Sequence, residues 1–170
     1  MKKLFLVALV AITAATLGFA SSQPEVEEWT IPFLNALTGP IASIGEYLDW
    51  GAQQAAREIN AAGGIKGKPV KIVGVDTALD PQLGSVKMAE IVADALVALG
   101  PVPENVIQAA MPIAVEAKMM SMTATTSYEY AAPYFPWTVS WFPPTEKRLG
   151  VVVAGWGKLY PEMKKVVQFV

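Results

Sequence analysis

The apolar positions change period along the chain in a regular order. Thr30–Ala36 is a short apolar run bounded by polar residues, and it reads as a buried strand. Thr38-Gly39-Pro40 breaks it, because Gly tolerates dihedrals that other residues avoid and Pro fixes its own φ. From Ile41 the apolar residues recur at helical spacing, at Ile44, Leu48, Ala52, Ala55 and Ile59, which predicts a helix with one buried stripe. Gly63-Gly64 supplies the left-handed residue that ends helices, and Pro69–Val75 then reads as a second strand. Strand, helix and strand in this order make a right-handed crossover, so the two strands are expected to run parallel.

The alternation continues downstream. Asp80-Pro81 opens a second helix, with Asp as the cap and Pro at the first helical position. Its apolar face is read through Leu83, Val86, Ala89 or Glu90, and Val92–Ala95. Leu96–Leu99 is a third strand, stopped by Gly100-Pro101. Pro103-Glu104-Asn105 begins a third helix running to about Lys118, in which Pro112 is expected to cause a kink or a division. Met119–Met122 is a fourth strand whose methionines are read as gap-filling core. Thr123–Ser127, TATTS, is a hydroxylated loop at that strand's carboxyl end. Within the aromatic segment Tyr128–Phe142, Trp137–Trp141 fits another short strand. Thr145 is placed to cap a helix over Glu146–Leu159, and Lys164–Val170 reads as a buried parallel strand. The class is α/β with a parallel sheet. Ligands of such sheets sit at the carboxyl ends of strands, which directs attention to residues 37–44, 76–80, 100–105 and 123–127.

Composition narrows the chemistry. Lys2 and Lys3 precede an apolar run, Leu4–Ala20, that ends in small residues before Ser21-Ser22. This is the pattern of a secretory signal, with cleavage after Ala20. A retained membrane anchor is the alternative, but spanning takes about 20 strongly apolar residues and this run contains Thr13 and Thr16. The chain carries a net charge of −2, and cleavage would remove basic residues only. With no basic run, nucleic acid is not an expected partner. There is no cysteine, hence no disulfide framework and no lipid-modified cysteine, so a free periplasmic protein is expected. With His also absent, Ser-His-Asp triads, Cys-His pairs and thiolate or imidazole zinc sites cannot be built. The GGIKGKP turn ends in Gly-Lys, yet its Gly spacing is too short for a phosphate-binding loop. Pro69 stands where Ser or Thr is needed, and a strand follows instead of a helix. Asp76 is left open between facing the cleft and holding its own turn through backbone hydrogen bonds.

The stretch LTGPIASIGEYLDWGAQQAAREINAAGGIKGKPVKIVGVDTALDPQ resembles the opening of the branched-chain amino acid-binding type of periplasmic receptor, the type I solute-binding proteins that serve ABC importers. The shared features are the TGP turn, the following Gly45, the helix with its I-N ending, the GGI-x-G-K turn, and Asp76 with Asp80-Pro81. The resemblance implies a Rossmann-like parallel-sheet lobe of a type I periplasmic binding protein, with the second lobe largely missing. It divides the chain into a signal peptide at 1–20, an N-terminal lobe at 21–145, and a crossover helix with the first strand of a second lobe at 146–170. It also implies a small-molecule ligand, a transient ABC permease partner, a monomer, no cofactor or metal, and no catalysis.

The same resemblance carries site residues. In that family the loop after the third strand gives a Ser hydroxyl to the ligand, and the loop after the fourth gives a backbone carbonyl and a Thr hydroxyl. Carried over, Thr123, Thr125 and Ser127 belong to the second of these loops, Tyr128 follows it, and Ile44 lines the pocket mouth. One departure stands out: Glu104 occupies the Ser position, with Asn105 next. Like charges at about 4 Å repel by roughly 1 kcal/mol in water and by more in a drier cleft. Either Glu104 turns away to complement its helix, or it faces the cleft and selects a cation, amine or amide, with Asn105 as the neutral hydrogen-bonding group. The aromatic segment either packs or walls the ligand, Tyr128 and Trp137 being its first candidates. Two other functions remain open: an exported α/β hydrolase using Glu104 and Asp76 as acid and base, and the ligand-binding domain of a membrane sensor.

Overall fold

The computed structural model describes residues 27–165. The expected signal segment and the body of the expected strand at 164–170 lie outside them. The elements are β1 (Trp29–Asn35), α1 (Ala42–Ala61), β2 (Val70–Asp76), α2 (Pro81–Ile91), β3 (Val97–Leu99), α3 (Glu104–Glu116), β4 (Met120–Thr123), β5 (Thr138–Ser140) and α4 (Thr145–Leu159). Two 3-10 turns, Tyr128–Tyr130 and Ala132–Tyr134, fill the aromatic segment before β5.

The strands form one sheet in the order β2-β1-β3-β4-β5, and every pairing is parallel. Alternation along β1 sends Leu34 to one face and Phe33 to the other. Leu34 packs with Met88, Ile107, Met111 and Met119 beneath α2 and α3, while Phe33 packs with Val70, Ile72 and Ala56 beneath α1. Because the strands are parallel, all their trailing loops emerge along one edge of the sheet.

Two helices are rotated relative to the stripe their apolar residues predict. In α1 the buried positions are Gly45 and Ala56, with Leu48 and Ala52 partly buried; Ile44 is 54% exposed and Ile59 38%. The cause is Gly45, where a Cβ would overlap the Ala36 carbonyl. Only glycine lets the helix start so close to β1, and that contact fixes its rotation. Likewise α2 buries Gly84 and Met88 and exposes Val86, because Gly84 seats against Val106 of α3. Asp80 caps α2 as expected, accepting from Gln82 N at 2.7 Å and Leu83 N at 3.1 Å.

Two further expectations are corrected, and of the two outcomes open to Pro112 the division is excluded. Pro112 does not divide α3, which runs unbroken from Glu104 to Glu116. The Gln108 carbonyl, which loses its helical donor to Pro112, accepts instead from the Tyr134 hydroxyl at 3.4 Å. Of the strand methionines only Met119 is core; Met120 and Met122 are 46% and 40% exposed, while Ser121 and Thr123 are buried. Strand periodicity puts Met120 and Met122 on the face where α1 covers only β1 and β2. Thr145 does not cap α4 with its side chain. Its N–H and hydroxyl both donate to the Thr126 carbonyl, at 2.8 and 3.0 Å.

A Gly45→Ala substitution should force α1 away from β1. The expected cost is about 1–3 kcal/mol, the range for overpacking a tight contact, read as a lowered urea midpoint.

Candidate ligand-binding site

The loops on the carboxyl edge are tied to one another by side chains. At the end of β1, Asn35 is buried, its Nδ2 donating to Gly45 O at 2.7 Å and its Oδ1 accepting from Ala36 N at 2.9 Å. The Asn35 carbonyl accepts from Thr77 N and Thr77 Oγ1. At the end of β2, Asp76 Oδ1 accepts from Leu37 N (2.9 Å), Thr38 N (3.2 Å) and Ala78 N (2.9 Å), and Oδ2 accepts from Thr38 Oγ1. Partial burial pushes the Asp76 carboxyl upward, but these four donors outweigh it and hold its pKa below the usual carboxylate range. The alternative left open for Asp76 therefore closes on a structural role: its oxygens hold the TGP loop at Leu37 and Thr38 as well as its own turn at Ala78.

Glu104 is the first residue of α3, and its side chain reaches across to the TATTS loop. Glu104 Oε1 accepts from Thr126 N and Thr126 Oγ1, both at 2.9 Å, and lies 3.5 Å from Thr125 Oγ1. Burial raises its pKa, while the Thr126 amide, its own amide and the Thr126 and Thr125 hydroxyls lower it by more, so the net direction is down. Asn105 is exposed, and its Nδ2 donates to Leu79 O at 3.2 Å. Thr125 is buried, its hydroxyl donating to Ser127 O at 2.9 Å. Thr126, which sequence reasoning did not single out, supplies both of the 2.9 Å contacts to Glu104; its place in a hydroxyl run was the only available signal.

A cavity of about 260 Å³ lies behind this loop, and Thr125, Ser127, Tyr128, Phe135, Ser140 and Lys147 are among its lining. Of the residues singled out in sequence, Thr125, Ser127 and Tyr128 thus share one cavity, and Glu104 touches its rim through Thr125. Tyr128 is 68% exposed. Ile44 is exposed at the start of α1, near the TGP turn. Thr123 is not brought to the rim: its hydroxyl is wholly buried on β4 and has no hydrogen-bond partner among the described residues. Trp137 is half-buried and outside the cavity lining. Phe135 and Phe142 belong to the aromatic segment read as packing or as a wall, and both line the cavity; Lys147 was not singled out, because chain turns after β5 bring it there. The arrangement offers hydroxyls, backbone amides and an aromatic wall, with carboxylates already bonded within the rim.

A parallel five-stranded sheet whose trailing loops make a polar rim beside a cavity is an open α/β sheet with its polar groups at the strand ends where such sheets take ligands. The family model for periplasmic binding proteins matches residues 28–166, and the chain belongs to that family. The Leu/Ile/Val-binding protein homolog 3 of Brucella melitensis is 41% identical over 83 residues, covering 49% of this chain and 22% of that protein. The Leu/Ile/Val-binding protein BraC3 of Rhizobium johnstonii is 32% identical over 120 residues, covering 70% of this chain and 32% of the relative. Among solved structures, an amino acid ABC transporter substrate-binding protein from Pseudomonas fluorescens superposes with a TM-score of 0.71 at 22% identity. That match covers 81% of this chain and 37% of the other. The branched-chain amino acid transporter substrate-binding protein LivJ of Streptococcus pneumoniae, in complex with isoleucine, gives 0.64 at 25% identity over 69% of this chain and 34% of that one. The chain thus spans between a fifth and a third of the length of the curated relatives named here.

The lowered pKa values of Asp76 and Glu104 fix a sign for the pH dependence. Their stabilising contribution is complete above the unfolded carboxylate values, about 4, and is lost as pH falls through the lower folded values. Asp76→Asn and Glu104→Gln should each flatten the acid limb of stability below about pH 4. Asp76→Asn should also cost about 1–3 kcal/mol at neutral pH, because it turns an amide N–H₂ toward existing donors. Urea titrations across pH measure both effects.

Proposed function

We propose that this chain forms the ligand-gripping lobe of an extracytoplasmic solute-binding protein that delivers a small polar solute to an ABC importer without altering it. The solute class is an amino acid, an amide or a related compound. The observation that carries this reading is the convergence of Glu104, Thr125, Thr126 and Ser127 beside one cavity at the carboxyl edge, in a chain of the periplasmic binding protein family. The names of the relatives, with their Leu/Ile/Val and amino acid ligands, support it.

The state of the carboxylates supports binding over catalysis. A general acid at neutral pH needs a raised pKa, whereas Asp76 and Glu104 are both lowered and both serve loop donors. On this reading the protein is released into the periplasm after cleavage at Ala20 and acts as a monomer. No helix among the described residues is long and apolar enough to cross a membrane. Residues 146–170 begin a second lobe that closes over the solute by a hinge. The exposed Leu149, Val153 and Trp156 of α4 support a further packing partner for that helix.

The test is a thermal-shift panel on the full-length protein with amino acids, amides, aromatic acids and polyamines. A true ligand at a hundredfold excess over its Kd should stabilise by about 2.7 kcal/mol. Incubation with esters, amides and glycosides should leave each unchanged, and steady release of product from any of them would overturn the reading.

A further inference from the structure

Glu104 places a carboxylate where a bound anion would otherwise be held. A helix N-terminus and a loop of hydroxyls and amides are together a natural anion site. Here the donors of that site converge on a side chain of the protein itself: Thr126 N and Thr126 Oγ1 both donate to Glu104 Oε1 at 2.9 Å. Glu104 is only half-buried, so the loop does not enclose it. Its neighbours add to the same sign. The four loops at the carboxyl edge, residues 36–43, 76–82, 100–105 and 123–128, contain Asp76, Asp80 and Glu104 but no Lys or Arg. Asp76 is engaged by backbone N–H groups of the TGP loop and of its own turn, and Asp80 by those of the helix it caps. Lys147 lines the cavity behind TATTS, from α4.

From this geometry we infer that Glu104 is a specificity-determining residue: it fills the anion position of the rim, so the solute presents an N–H group there, an ammonium or a carboxamide, in place of a free α-carboxylate. The inference rests on the solute-binding reading above and sharpens its ligand class. A ligand carboxylate about 4 Å from Glu104 would lose roughly fivefold in affinity in water-like surroundings, and on the order of a thousandfold in a drier cleft. A ligand N–H group at the same place gains a charge-assisted acceptor.

Leucine, leucinamide and isopentylamine share one side chain and differ only at the group in question. Calorimetric titration of the full-length protein at about pH 6, where their amines are protonated, should rank leucinamide or isopentylamine at least fivefold above leucine. Glu104→Gln keeps an acceptor oxygen for Thr126 while removing the charge, and it should close that gap by raising leucine affinity. A residue that merely held the loop would weaken all three ligands together and leave the ratio unmoved, which overturns the proposal. Leucine ranking first in the wild-type protein overturns it as well, and does so even if the variant fails to fold. For any other ligand found in the wider panel, an acid binding more tightly than its own amide has the same force. Silence toward the whole panel overturns the solute-binding reading itself, and this inference with it.

Discussion

One buried carboxamide sets the position of everything at the carboxyl edge. Asn35 ends β1 at 1% exposure, surrounded by apolar packing, and its side chain and carbonyl are met from three directions. It holds the first turn of α1 through Gly45 O, its own chain through Ala36 N, and the exit of β2 through Thr77. A buried polar group left unpaired costs about 1–3 kcal/mol, so a satisfied one selects a single geometry over its neighbours. The contact depends in turn on Gly45, whose missing Cβ lets the helix end reach the strand end. The start of α1, the end of β1 and the end of β2 are therefore one rigid block, and the TGP loop leaves from it.

From that block the ties continue sideways along the sheet. Asp76 binds the TGP loop to β2, Asn105 binds α3 to the loop at Leu79, Glu104 binds α3 to TATTS, and Thr126 binds TATTS to the start of α4. Ala78 and Leu79 both sit at positive φ, a strain of about 1–3 kcal/mol each for non-glycine residues. They keep it because Asp76 Oδ1, the Asn105 amide and the Thr77 carbonyl all bond that loop. The rim is thus a cross-braced surface, and a solute meeting it does not have to order the loops first. A rim prepared in this way spends little binding energy on its own organisation.

The order and extent of the strands could be read from sequence because the change of apolar period is a long-range average over many residues. Parallel pairing followed from the strand–helix–strand order alone, and the family resemblance is carried by residues of those same turns. Helix rotation was not legible: Gly45 and Gly84 decide it, and a glycine carries no hydrophobic signal. The methionines misled because composition was read without the twofold alternation that turns Met120 and Met122 outward. At the site, a carboxylate opening α3 was visible at Glu104, but its direction was not. Its partner Thr126 lies 22 residues further on, and only the β3–β4 pairing brings the two together. Asn35 gave no warning at all, since a polar residue ending an apolar run reads as the solvated end of a strand.

The sheet is covered unevenly, and the cover decides which parts of the rim move as a unit. A parallel sheet ordinarily buries both faces. Here α2 and α3 cover one face, while on the other α1 packs chiefly on β1 and β2, and an open groove runs between its Tyr47, Leu48 and Ala52 and the side chains of Leu99, Met122 and Trp141. If the rim were braced through that groove, its shape would depend on whatever covers it. Part of the bracing runs elsewhere. Glu104 and Asn105 project from α3, whose buried residues Val106, Ile107, Ala110 and Met111 lie within the covered face or beside it. The Asp76 and Asn35 ties lie over β1 and β2, where α1 is in place. The TGP loop and the start of α3 are therefore anchored to the covered parts of the core, whereas TATTS, which holds the Glu104 carboxylate through Thr126, leaves β4 beside the open groove, so whatever covers that groove bears on the direction of Glu104.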